Sequence, residues 1–241
     1  MSRVAGIPAI LFVLALPLFL VTASVSWAVN DPGVYQRGFA KYDISLYTGI
    51  SNADLRQAGT DIRHYFNSSD EPLALRSRVF GAEQSVFNQR EVQHMLDVKR
   101  LIRGVYAVAV ASGIYLLATI AAGFAWRRRR FVGTLAWLSL WGGGLTLALV
   151  FAIGVFALTG FEALFLKFHQ LSFSNDLWRL DPSTDYLVIM FPEGFWFDAA
   201  MSVATLTLVS AVLLTAVSGG YLTYCRWRLR VRQRASCGSP A

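Results

Sequence analysis

Glu91, His94 and Asp97 fall three residues apart. On a helix that spacing brings side chains close to one face. A carboxylate one turn from an imidazole can fix its tautomer and stabilise the imidazolium, which is the equipment of a proton-transfer site. Each carboxylate also has a plainer use: Glu91 as a helix cap, Asp97 as the partner of Arg100 or Arg103. A second imidazole, His169, lies far along the chain and is followed by Asn175 and Asp176. Two histidines with nearby carboxylates, delivered from separate helices, point to a shared site. His64, the third histidine, reads as a surface or packing residue beside Tyr65. The chain has no G-x-S-x-G elbow, no G-x-x-x-x-G-K-[ST] phosphate loop and no H-E-x-x-H pair. Its two cysteines, Cys225 and Cys237, are too few for a disulfide scaffold or a four-cysteine zinc site.

The elements that must position these residues are set by composition. Of 241 residues, 55% are hydrophobic and 15% charged, whereas soluble domains average about 45–50% and about 25%. Four apolar segments have the roughly 20 residues needed to cross a bilayer: about 5–28, 104–126, 131–160 and 199–224. The third runs on to Leu166, longer than one crossing needs, so a break is expected near Gly154 to Gly160, with Phe161 to Leu171 at the interface. Gly142-Gly143-Gly144 sits inside that segment, where small residues let helices approach closely. No acid or base lies centrally in any span, which argues against ion-coupled transport.

The net charge of +7 suggests nucleic acid only until the charges are placed. Arg3, Arg127 to Arg130, and Arg226, Arg228, Arg230, Arg232 and Arg234 lie in segments without acids. The other twelve basic residues share loops 29–103 and 161–198 with all fifteen acids. By the positive-inside rule both termini and the 127–130 turn are cytoplasmic, and the two long loops lie outside. Basicity therefore reports topology, with no nucleic-acid partner and at most a secondary contact with anionic phospholipids. Ser26-Trp27-Ala28 would suit signal cleavage, but the preceding run exceeds a signal-peptide core, so a retained anchor is expected.

The outer loops carry start signals for helices. Ser51-Asn52-Ala53-Asp54 is a capping box opening a helix to about Phe66. Asn88-Gln89-Arg90-Glu91 is a second N-terminus, with Phe87 and Val92 as its hydrophobic staple, and this helix is expected to run into the second span. Asp181-Pro182 marks a turn or short helix start, and Phe191-Pro192-Glu193 opens the last helix. Phe195, Trp196 and Phe197 form an aromatic belt at the outer membrane surface. The expected architecture is a single all-α membrane domain, residues 1–241, of four transmembrane helices with the two extracytoplasmic helical loops forming a cap.

At these loops the sequence resembles a bacterial four-span membrane family. The segment Phe87-Asn88-Gln89-Arg90-Glu91-Val92-Gln93-His94-Met95-Leu96-Asp97-Val98-Lys99 resembles one of its signatures. The segment from Phe168-His169-Gln170-Leu171-Ser172-Phe173-Ser174-Asn175-Asp176-Leu177-Trp178 to Asp181-Pro182, continuing to Phe191-Pro192-Glu193-Gly194-Phe195-Trp196, resembles the other. The family is that of Lit, the lipoprotein intramolecular transacylase. The resemblance implies a bacterial cytoplasmic-membrane acyltransferase without a cofactor or metal, with its site on the extracytoplasmic side and diacylglyceryl-modified lipoproteins as substrates. The sn-2 acyl chain would move from its ester to the α-amine of the lipidated cysteine, giving an N-acyl lyso-form lipoprotein. His94 and His169 match the family's catalytic histidines; Glu91, Asp97, Asn175 and Asp176 match supporting positions. Trp178, Phe195 and Trp196 are the expected contacts for the lipid part of the substrate. His169 is assigned as base and His94 as acid, although the sequence alone does not separate them, and a covalent route through Ser172, Ser174 or a histidine is the other chemistry open. Two different readings compete. A metal-dependent lipid hydrolase would gather His94, Asp97, His169 and Asp176 around zinc. A non-enzymatic sensor or scaffold would use the loops to bind a partner.

Overall fold

The computed structural model describes residues 6–237; Arg3 and Ala5, at the start of the expected first span, lie outside the described residues. Ten named elements follow in order: α1 (Gly6–Asn30), α2 (Pro32–Lys41), α3 (Ile44–Thr48), α4 (Asn52–Asn67), β1 (Arg76–Val79), β2 (Ala82–Ser85), α5 (Gln89–Arg127), α6 (Phe131–Ser172), α7 (Tyr186–Met190) and α8 (Glu193–Cys237). A single 3₁₀ turn, Arg128–Arg130, joins α5 to α6. The backbone of α6 leaves the helical region once, at Gly160 (φ −171°, ψ 62°), within the stretch where a break is expected. The four long helices contribute to two compact units.

One unit holds Val108–Ala152, the N-terminal segment through Thr22 and the C-terminal segment from Thr205. Its core is small: Phe12, Ala15, Leu16, Leu116 and Leu138, with Phe19, Tyr115 and Leu214 packed around them. Its outside is apolar, with Leu117 at 68%, Phe151 at 75% and Val217 at 72% exposure. Water would penalise so much bare hydrocarbon, whereas lipid tails do not, so these helices belong in a bilayer. Gly142 and Gly143 act as the sequence suggests. A Cβ on Gly142 would come within 2.7 Å of Leu16, and one on Gly143 would collide with Thr215, so both glycines allow close helix approach.

The other unit holds Ala23–Ala107 and Ile153–Ala204. Its core is larger than that of the first unit. Ile44, Ile50, Leu55, Ile62 and Met190 are almost fully buried, with Tyr35, Phe39, Phe191 and Phe195 stacked among them. Burying each such side chain contributes about 1.5–3 kcal/mol. The capping box is realised at α4, where the Ser51 hydroxyl accepts from the Asp54 N–H at 3.1 Å. Four elements go beyond the expected helices. Asp31 caps α2 with Pro32 at its first position, and α3 is a single turn. β1 and β2 form an antiparallel hairpin in an otherwise helical molecule. Its two-residue turn, Phe80-Gly81, has positive φ at both positions (49° and 85°), as the twist of a tight hairpin requires. Ile50 bridges to Val79 on the outer side of β1.

Candidate functional site

The first turn of α5 is a full capping box. Asn88 Oδ1 accepts from the backbone of Arg90 and Glu91, and Glu91 Oε2 accepts from the Asn88 N–H at 2.7 Å. Glu91 does more than cap. Its second oxygen accepts the Leu187 N–H at 2.6 Å, while Asn88 Nδ2 donates to Asp185 at 2.9 Å. Asp185 also accepts from the Asp181 N–H. These bonds tie the start of α5 to the 181–187 segment. Glu91 is 1% exposed, and burial pushes its carboxyl above the usual range while its two N–H donors pull it back. Both oxygens being engaged by backbone N–H groups, Glu91 is turned to architecture.

One turn further on, His94 meets His169 from α6. The ring centroids are 6.1 Å apart with planes 33° apart, and the side chains are almost entirely buried. Aromatic rings enclose the pair. Phe173 stands 5.1 Å from His94 and 5.6 Å from His169; Phe165, Phe168 and Trp178 stand 4.4, 5.3 and 5.2 Å from His169. His169 Nδ1 lies 2.8 Å from the Phe165 carbonyl oxygen. A carbonyl only accepts, so in the neutral ring Nδ1 carries the proton and Nε2 keeps its lone pair. His94 Nδ1 is buried without a hydrogen-bond partner. Burial, then the neighbouring His169, pushes His94 down to about 4, against a weaker upward pull from Asp97. Burial also lowers His169, opposed by its bond to Phe165. Both imidazoles are therefore neutral at physiological pH.

A short loop closes this cluster. Asn175 Nδ2 donates to Asp97 Oδ2 at 2.8 Å, and Arg90 donates to the carbonyl of Asp176 at 2.6 Å. Asp97 also pairs with Arg100 at 3.4 Å, the plainer role the sequence offered it. The Asp97 and Arg90 bonds hold residues 175–177 against α5, so that Phe173 and Trp178, on either side, face the histidines. Asp176 itself points elsewhere, exposed and paired with Arg179 at 3.1 Å. The Arg179 guanidinium lies 5.2 Å from the Trp178 ring.

The expected site residues thus divide. His94, His169 and Trp178 form the cluster, with Asp97 and Asn175 bracing it. Glu91 serves the frame and Asp176 the surface. Trp196 reaches the site through Phe165, 6.1 Å away, whereas Phe195 is buried in the core against Tyr35, Phe39 and Phe191. Among the described residues no group of three histidine, cysteine or acidic side chains is arranged to hold a metal ion; the carboxylates of the zinc reading diverge to Asn175, Arg100 and Arg179. Sequence reasoning missed Arg90, Phe165, Phe168 and Phe173. Phe165 and Phe173 had one signal: with His169 between them they recur every four residues, the spacing of one helix face.

A buried pair of neutral imidazoles, one with a defined acceptor nitrogen, can take a proton from one reacting group and return it to another. A family profile described as lipoprotein intramolecular transacylase Lit matches residues 10–196. The chain is similar, at 29% identity over 128 residues, to an uncharacterized protein of Aquifex aeolicus (strain VF5). That match covers 53% of this chain and 54% of the relative, about half of its length. The fold resembles the in meso structure of the membrane integral lipoprotein intramolecular transacylase Lit from Bacillus cereus. There the TM-score is 0.76 at 18% identity, over 91% of this chain and 96% of that one. A variant of the same protein with one histidine changed to arginine matches at a TM-score of 0.70 and 17% identity, over 92% of this chain and 93% of that one.

Proposed function

The chain belongs to the lipoprotein intramolecular transacylase family, Lit, and on that premise we propose that it transfers an acyl chain within one lipoprotein molecule through His94 and His169. The substrate is a lipoprotein whose N-terminal cysteine carries a diacylglyceryl thioether. Its α-amine attacks the carbonyl of the sn-2 ester. The C–N bond forms as the C–O bond breaks, and one proton passes from nitrogen to the departing alkoxide. No co-reactant is consumed, and the histidine pair ends in the protonation state in which it began.

The observation that carries this reading is the adjacency of two neutral imidazoles with His169 Nε2 left free to accept. An α-amine has an ordinary pKa of about 7.7–8.0, so its proton is within reach of a histidine base once nitrogen becomes positive in the attack. His94, held near 4, is uncharged at rest and is a strong acid once a proton is shared into the pair, which suits delivery to an alkoxide. Amine and ester lie on one bound molecule, so no second reactant must be ordered. The rings of Phe165, Phe173 and Trp178 supply an apolar wall for acyl chain and glycerol. Asn175 and the N–H groups near Ser174 are the nearest candidates for stabilising the oxyanion.

Orientation follows from charge. The arginines at residues 127–130 and 226–234 face the cytoplasm, the spans run about 5–28, 104–126, 131–160 and 199–224, and the histidines work on the extracytoplasmic side, at the level of phospholipid ester groups. Mass spectrometry of lipoprotein N-termini, from a bacterial host unable to N-acylate its lipoproteins, tests the proposal. Expression of this chain is expected to convert the diacylglyceryl form to the N-acyl lyso form, and His94→Ala or His169→Ala to abolish conversion. An unchanged diacylglyceryl form with well-expressed wild-type protein rejects the activity; full conversion by both variants rejects the site.

A further inference from the structure

The reacting amine and ester sit at one end of a long polypeptide, and the rest of that polypeptide has to leave the histidines somewhere. Strand β2 offers a place. All four of its residues, Ala82 to Ser85, are exposed. In the hairpin register Arg76 faces Ser85, Ser77 faces Gln84, Arg78 faces Glu83 and Val79 faces Ala82. The two-residue turn makes Val79–Ala82 a hydrogen-bonded pair, and the bond from the Val86 N–H to the Leu75 carbonyl keeps the alternation in step. Glu83 and Ser85 are therefore in the non-bonded pairs, and their N–H and C=O groups point away from β1. Among the described residues no strand pairs with that edge. The opposite edge, on β1, is bridged by Ile50 and by the bond from the Phe80 N–H to the Gly49 carbonyl. Among the described residues the β2 edge has no such partner.

This edge is also close along the chain to the chemistry. Asn88, the cap of α5, is the third residue after Ser85, and His94 follows six residues later. An extended link of three residues and six residues of helix rise place Ser85, the near end of the edge, no more than about 20 Å from the His94 backbone. An extended peptide covers that distance in about six residues.

We propose that the outer edge of β2 receives, as an added third strand, the extended peptide that follows the lipidated cysteine of the substrate. This rests on the transacylase reading and names how the same site holds the polypeptide half of its substrate. Main-chain pairing reads no side chains, so lipoproteins of unrelated sequence dock alike, provided the segment beginning about six residues after the cysteine is extended and free of proline. The edge side chains fit this use. Glu83 is occupied with Arg76 at 3.2 Å, and no large apolar residue lies in β2 to draw it into lipid.

Two synthetic diacylglyceryl-cysteine lipopeptides, of about four and about fourteen residues, test this on the full chain in lipid. The long one is expected to show a KM lower by about tenfold, the effect of a few main-chain hydrogen bonds. Glu83→Pro removes an outward N–H without breaking a ladder bond. It is expected to raise the long peptide's KM to that of the short one while leaving kcat on the short one unchanged. Glu83→Ala is expected to keep the wild-type difference. With wild-type protein, N-methylating alternate backbone nitrogens of the long peptide from about its sixth residue is expected to have the same effect as Glu83→Pro. A photoreactive residue about eight positions after the cysteine is expected to label residues 82–85. Equal KM values for the two peptides, or a length preference that survives both Glu83→Pro and N-methylation, overturn the docking and leave the chemistry standing. Labelling of β2 by a long peptide that is never converted keeps the docking and rejects the chemistry.

Discussion

His94 is a polar ring kept dry, with one nitrogen lacking a partner, and that arrangement has a measurable cost. Between its ordinary value near 6.5 and its folded value of about 4, the unfolded chain binds a proton that the folded protein refuses. The linkage sign is then fixed: the contribution of neutral His94 to stability is complete above 6.5 and is lost as pH falls toward 4. The full effect is about 3 kcal/mol. Unfolding of the purified protein in detergent is expected to lose this much more stability across that window than His94→Phe does. The same depression shapes the reaction. In the proposed mechanism His169 is the base and acts only when neutral, and burial keeps its pKa below 6.5, so a plot of log(kcat/KM) is expected to rise with unit slope between about 6.5 and the amine pKa of about 7.7–8.0. Below 6.5 it is expected to steepen. Removing either imidazole is expected to lower turnover by about 10²–10⁴-fold, the usual contribution of a proton-transfer group. The histidines were legible because polar residues at the rim of apolar helices stand out. Phe165, Phe168 and Phe173 were not, because a phenylalanine facing an imidazole and one facing lipid are the same letter.

Glu91 and Asp97, six residues apart on either side of His94, act on different elements, and their substitutions should separate. Glu91 fastens the N-terminus of α5 to α7 through two backbone N–H groups. Glu91→Ala leaves both donors without an acceptor, and the buried Leu187 N–H alone costs about 1–3 kcal/mol. Thermal unfolding in detergent is expected to show this loss, with Glu91→Gln, which keeps one acceptor oxygen, falling between the two. Asp97 holds the loop that carries Trp178. Asp97→Ala or Asn175→Ala is expected to lower kcat by about 10- to 100-fold, the effect of misplacing groups around a reacting centre, while costing less thermal stability than Glu91→Ala, because Asn175 is exposed and Asp97 only partly buried. Activity and melting measured on the same preparations check this, and equal losses in all three variants would mean that the loop and the frame are one cooperative element. Legibility followed local chemistry here too. The capping boxes at Ser51 and Asn88 announce helices within four residues, and Gly160 broke α6 inside the stretch flagged by length alone. The hairpin was hidden because its turn is Phe80-Gly81, without the Asn or Asp that normally supplies the first positive φ, and because Arg76 to Val79 has no clean apolar alternation.

For the molecule as a whole, the apolar helices say that it enters a bilayer, and only the arginines say which way round. Hydrophobic length is symmetric with respect to the two faces of a membrane; charge is not, since basic residues near span ends resist translocation. The 127–130 turn carries four arginines and no acid, and the stretch from Arg226 carries five more without an acid, whereas residues 29–103 and 161–198 hold every acid in the chain. The His94–His169 pair lies in those acid-bearing segments, so the orientation of the whole chain decides whether the pair meets an exported lipoprotein. Single cysteines report it directly, once Cys225 and Cys237 are changed to serine. With a membrane-impermeant maleimide on intact bacteria whose outer layers are permeable to it, Gln84→Cys is expected to be labelled. Arg129→Cys is expected to be labelled only after the membrane is broken. Replacing Arg127 to Arg130 with asparagine, or Arg127, Arg128 and Arg130 where residue 129 carries the cysteine, removes four of the nine arginines at the two arginine-rich sites, and is expected to produce a mixed population in which both cysteines label in part. Transacylation should then fall in proportion to the fraction of Gln84→Cys that has become inaccessible, because a histidine pair facing the cytoplasm has no lipidated amine to deprotonate. Labelling of Arg129→Cys and not of Gln84→Cys in intact cells, with the other arginines in place, would put the pair on the wrong face, and no adjustment of the site chemistry could recover the reaction from there.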